Sequence, residues 1–166
     1  MKFSIHKLPS LSGDEASIYS VMVDGEKADR LNQFIENNVG THKTEVIDIV
    51  NRLSAIGKEF GAREQFFKQN EGLPGDLVCA LYDDPNSHLR LYCIRFGKTT
   101  LVLGGGGVKP KNIRAWQESE ELKKEAELMI LVSKYMAKKI KEKDMGWESN
   151  LKDFSGDLEF NEEKDD

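Results

Sequence analysis

Two apolar runs near the middle of the chain, LRLYCIRF (89–96) and TTLVLGG (99–105), are separated by only Gly97 and Lys98. A connection that short joins strands only in antiparallel fashion. The run LVCALYD (77–83) precedes them and is broken by Asp84-Pro85-Asn86. Three strands that follow one another so closely predict an antiparallel meander, and the rest of the chain must fold around it.

The flanking segments carry different periods. KFSIHKL alternates as a strand does, and Pro9, Ser10, Ser12 and Gly13 form a turn. ASIYSVMVDG is a second strand, closed by the turn signal Asp24-Gly25. The two make an N-terminal β-hairpin. Ala28, Leu31, Phe34 and Ile35 recur at helical spacing, with Gly40 as a stop. Thr41 and Glu45 suggest a capping box for a second helix, whose apolar stripe is Val46, Ile49, Val50, Leu53 and Ile56. These helices are expected to form a hairpin packed on the sheet. Residues 117–143 lack Gly and Pro and are rich in Glu and Lys, which predicts a long C-terminal helix. The expected fold class is therefore α+β: an antiparallel β-meander sheet with a helical hairpin on it, an N-terminal β-hairpin and a long C-terminal helix. A chain of 166 residues fits one domain, over 1–143 with 1–25 as the extra hairpin, followed by an acidic tail over 144–166. Trp147, Leu151, Phe154, Leu158 and Phe160 within that tail suggest that it lies against the domain.

Charge is distributed unevenly. The net charge is −5, yet residues 88–143 carry 13 Lys and Arg against 6 Asp and Glu, and residues 144–166 carry 2 against 9. A basic block thus sits between acidic segments, which bears on partners and not on fold. Half of that block is a lysine face of the long helix, as suits a solvated surface. No run is long and apolar enough for a membrane span, and the first ten residues have no apolar core of a signal peptide. The expected location is the cytoplasm, with no membrane partner. Cys79 and Cys93 fit reduced core thiols.

Parity along a strand puts His88, Arg90 and Tyr92 on one face, and Leu89, Leu91 and Cys93 on the other. The first set offers a cation, an aromatic ring and an imidazole on an open sheet surface, suited to a phosphate backbone with a stacked base. The bland alternative is an arginine paired with a local carboxylate. Arg95 has the opposite parity and lines the hairpin tip. Four glycines, Gly104 to Gly107, either let a ligand approach the backbone or end the strand in a bend. They are not a phosphate-binding P-loop, because Lys109 is followed by Pro110 and no Ser or Thr completes the pattern. Lys109, Lys111 and Arg114 follow within a few residues and are suited to neutralising phosphates or a charged transition state. His88 is the one histidine of the basic block and a candidate general base; His6 and His42 carry no such expectation. No metal-ligand motif, Cys/His cluster or nucleophile signature is present, so neither a metal nor a small-molecule cofactor is expected.

The order of two helices, a cationic meander LRLYCIRFGKTTLVLGGGGVKPK and a C-terminal helix resembles the RelE/ParE toxin superfamily, nearest its HigB-like branch. The element order matches over about residues 26–143 and the motif over 81–118. The resemblance implies the toxin of a type II toxin–antitoxin system: a metal-independent endoribonuclease acting on mRNA at the ribosome. There a 2′-hydroxyl attacks the adjacent phosphate while basic residues stabilise charge. By position it implies that role for Arg90, Lys98, Lys109 and Lys111, and it implies a helix-turn-helix antitoxin as partner. His88 adds a candidate base, and Tyr92, Arg95 and Arg114 are the further RNA-contacting candidates. The chain departs from the family in its N-terminal hairpin, its acidic tail, and glycine at Gly104 to Gly107 where the family has a histidine. A non-catalytic RNA- or protein-binding module on the same scaffold is the alternative. A third expectation is that the acidic tail covers the basic sheet and competes with RNA.

Overall fold

The structure is a computed structural model, which describes residues 1–69, 77–110 and 119–162. Its centre is a mixed sheet, mostly antiparallel, with three α-helices among the described residues. The chain begins with β1 (Lys2–Lys7) and β2 (Ser17–Val23), which pair antiparallel with Phe3 opposite Val23. Helices α1 (Arg30–Asn38) and α2 (Lys43–Ala55) follow. Then β3 (Phe67–Lys68), β4 (Val78–Leu81), β5 (Leu89–Phe96) and β6 (Thr100–Val108) pair in chain order, each antiparallel to the one before. After α3 (Glu120–Lys141) come β7 (Met145–Trp147), β8 (Phe154–Gly156) and β9 (Glu159–Asn161). The large sheet has the order β3-β4-β5-β6-β2-β1-β9, and β7 and β8 form a separate pair.

The antiparallel β1–β2 pair lies within the sheet and not at its edge. β2 lies inside the sheet, parallel to β6 with Ser17 opposite Thr100, and β1 in turn receives β9. The segment expected as a tail therefore supplies the edge strand. Phe160 stacks on Phe3 with ring centroids 4.7 Å apart, and Phe154 closes an aromatic group with Tyr19, Phe96 and Trp147.

Both faces of the central strands are covered. On one face, Leu91, Cys93, Leu101 and Leu103 meet Leu31, Phe34, Val46, Ile49 and Leu53 of α1 and α2. On the other, Tyr92, Ile94 and Val102 meet Leu122, Ala126, Met129, Val132 and Met136 of α3. The local signals explain the helices. Asp29 caps α1 by accepting from the Asn32 N–H at 3.1 Å, and Ser20 of β2 donates to the same carboxylate at 2.6 Å. Ser119 caps α3. Cys79 and Cys93 face each other across β4 and β5 as buried free thiols. Among the described residues no helix is long and apolar enough to cross a membrane.

Candidate functional site

The end of β4, the start of β5 and the end of β6 come together at one end of the sheet. Arg90 is paired with Gly107, and the backbone N–H of Lys109 donates to the His88 carbonyl at 2.7 Å. Asp83, two residues beyond β4, is 5% exposed and collects three cations. Lys68 of β3 lies 2.5 Å from its Oδ1, and Arg90 Nε and Lys109 Nζ each lie 3.2 Å from its Oδ2. Lys109 Nζ also donates to the Asp84 carbonyl at 2.9 Å and to Ser87 Oγ at 3.0 Å. Burial pushes the Asp83 carboxyl up. The Lys68 hydrogen bond and the Arg90 and Lys109 charges outweigh it, so the group titrates below its ordinary value. The ion pairs fix the direction of each cation.

A second group adjoins the first. Glu45, in the first turn of α2, does not cap its helix. Its Oε1 accepts from the backbone N–H of His88 at 2.7 Å and of Leu89 at 3.3 Å, and its Oε2 lies 2.7 Å from His88 Nδ1. His42, the N-cap residue of α2, brings its ring to 5.2 Å from that of His88, centroid to centroid. Burial raises the Glu45 carboxyl, but the bonds from the His88 N–H and ring prevail and lower it. Between α2 and the β4–β5 connection runs a groove lined by Thr44, Glu45, Asp48, Arg52, Asp84 and Ser87.

The sequence-derived candidates divide between two places. His88, Arg90 and Lys109 meet at the end just described. Arg95 donates to the Ala62 carbonyl at 2.6 Å near the opposite end of β5, and Lys98 lies in the turn beyond it. At roughly 3.3 Å per strand residue, about 25 Å separates Arg90 from that turn. Lys111 and Arg114 fall outside the described residues.

The expected open face around Tyr92 requires correction. Tyr92 is fully buried beneath α3, so its ring is core and presents no surface for stacking a base. Parity had sorted the side chains correctly, but the face is occupied. Arg90 at the strand end escapes the helix and turns to Asp83. The glycine run also has a structural explanation. A Cβ on Gly104 would overlap the Met129 side chain of α3, and one on Gly106 would overlap the Arg90 carbonyl oxygen across a bulge near Leu91. These glycines let a helix and a neighbouring strand come close.

Lys68, Asp83, Glu45 and His42 were missed as site residues. Asp83 stood next to a loop signal, and Lys68 lay in a segment with no clear period. His42 and Glu45 are spaced i,i+3 on a helix, a signal for one shared face, but nothing in the sequence brings His88 to them. Among known proteins, no family model matches the chain, and no curated protein and no solved structure matches it significantly.

Proposed function

We propose that the protein binds RNA through phosphate contacts at the sheet end formed by Lys68, Arg90 and Lys109. The observation that supports this is the convergence of three cations, from three separate strand ends, on the single buried carboxylate of Asp83. The shared carboxylate holds the three cations in fixed directions before any ligand arrives. Preorganised cations of this kind suit a polyanion whose binding releases counterions. The resemblance to the RelE/HigB toxins points to mRNA at the ribosome as the RNA and to a helix-turn-helix antitoxin as the protein partner.

The test is binding of fluorescent single-stranded RNA at graded salt. Affinity is expected to fall steeply with salt, and Lys68→Ala combined with Lys109→Ala should weaken it about tenfold and flatten the slope. Lys98→Ala, at the other end of β5 and β6, should leave it unchanged. Binding indifferent to salt and to the double substitution overturns the proposal, and a loss carried by Lys98 alone overturns its location.

Cleavage of the bound RNA, as in the toxins, is the second reading. A specific observation favours it: Glu45 orients the His88 ring beside the cationic group, as a carboxylate orients a general base. It predicts growth arrest on expression, relieved by His88→Ala. Accumulation of folded wild-type protein without arrest argues against it.

A further inference from the structure

We propose that His42, Glu45 and His88 form a binding site for a divalent transition-metal ion of the zinc class. One donor atom from each residue lies within 4.8 Å of the other two. Two imidazoles and a carboxylate are a donor set that zinc accepts, with a fourth position left for water or a ligand. A tetrahedral ion with bonds of about 2.0–2.1 Å spaces its ligand atoms about 3.3 Å apart. The Glu45 Oε2 to His88 Nδ1 distance of 2.7 Å opens slightly to admit an ion, and His42 swings inward by roughly an ångström and a half from the 4.8 Å limit.

The surroundings resemble those of a metal site in three respects. Glu45 is held by its other oxygen, which accepts from two backbone N–H groups, so Oε2 is the oxygen presented to the His88 ring. His42 Nδ1 lies 3.0 Å from Thr41 Oγ1, an outer contact that orients the ring. Asp48 and Asp84 line the adjoining groove with Glu45, so the approach carries carboxylates. Arg52 lines the same groove and pairs with Asp48 at 3.0 Å, and Lys109 is engaged by Asp83 and the Asp84 carbonyl. The site also has an entry path, since the His88 side chain is 52% exposed.

The inference goes beyond RNA binding and does not depend on it. Phosphate contacts by Lys68, Arg90 and Lys109 are compatible with a bound ion. Use of the His88 ring as a general base is not, because that ring becomes a ligand.

Zinc chloride titrated calorimetrically into the chelator-stripped full-length chain tests it without any RNA. One equivalent per chain is expected. His42→Ala and His88→Ala, both at partly or largely exposed positions, should each weaken binding at least tenfold while far-UV circular dichroism stays unchanged. Cobalt(II) should give visible bands of a nitrogen–oxygen site without a thiolate charge-transfer band, since Cys79 and Cys93 are buried in the core. Absence of stoichiometric binding, an intact affinity in the doubly substituted chain, a loss confined to one histidine, or a thiolate band overturns the proposal.

Discussion

The Glu45 carboxylate grips His88 twice, at its backbone N–H and at its ring, each at 2.7 Å and across 43 residues of sequence. It joins the first turn of α2 to the residue just before β5, and so fixes how the helical layer sits over the sheet end that carries Arg90 and Lys109. Glu45→Ala leaves the His88 and Leu89 N–H groups without this acceptor. A loss of about 1–2 kcal/mol in urea unfolding is expected, because unpaired backbone donors near the surface recover part of their bonding from water. Burial raises the Glu45 carboxyl and the His88 bonds lower it, with a net lowering. Its contribution is therefore complete above the ordinary value and is lost as pH falls through the depressed one. The wild-type advantage over the variant should shrink as pH falls below the ordinary value of 4.5.

Two glycines of β6 separate backbone from side-chain crowding. A Cβ on Gly106 meets the Arg90 carbonyl oxygen, which belongs to the neighbouring strand and cannot move without breaking the pairing. A Cβ on Gly104 meets Met129, a flexible side chain that has other rotamers. Gly106→Ala is expected to cost about 3 kcal/mol or more, and Gly104→Ala about 1 kcal/mol. Equal losses for the two variants would refute this explanation of the run.

A third prediction concerns acid. Asp153 accepts from Lys7 at 2.8 Å, from Ser17 Oγ at 2.6 Å and from Asn150 at 2.8 Å, tying the β7–β8 connection to β1 and β2. The Lys7 and Ser17 bonds hold its carboxyl at about 2 against an ordinary 3.8. A lowered folded value adds stability that is complete above the unfolded value and disappears as pH falls through the folded one. Asp153→Asn should thus be less stable than wild type at pH 5, with the difference closing between pH 3.8 and 2. Because the pair is partly exposed, salt should reduce the difference. A gap independent of pH would show that the carboxylate charge has no part in it.

The local signals carried much of this architecture. The two-residue Gly97-Lys98 connection correctly implied antiparallel β5 and β6, and the Gly- and Pro-free stretch after residue 117 implied α3. These are properties of neighbouring residues. The parallel pairing of β2 with β6 is not, since no turn joins those strands and only the packed sheet brings them together. The same limit applied to Tyr92: alternation assigns a side chain to a face but does not say that Met129 and Val132 will cover it. At the candidate site, Arg90 and Lys109 were visible as charges beside strand ends. Their shared carboxylate, Asp83, was hidden because ion pairing between strands leaves no periodic trace. His42 was hidden for a similar reason, lying in an ordinary helix start until the fold places His88 against it.

The C-terminal segment gives the sharpest contrast between composition and packing. Its charge suggests a tail that lies over the basic sheet and competes with RNA. Instead β9 lies at the edge of the sheet opposite β3, with five strands between them, so it does not cover Lys68 or Arg90. Phe160 is 2% exposed and stacks on Phe3, and the Lys139 ammonium lies 4.4 Å above its ring while pairing with Asp157 at 2.6 Å. Phe160→Ala removes a buried ring from this group and should cost about 3–5 kcal/mol. Deleting residues 144–166 removes β9 together with Phe154, exposing Phe3 and Tyr19, so a loss of cooperative unfolding is expected. An inhibitory tail would behave differently: its removal would raise RNA affinity and leave the melting transition intact. Parallel melting and RNA-binding measurements on the truncated chain distinguish the two, and an intact transition would overturn the structural role assigned to β9.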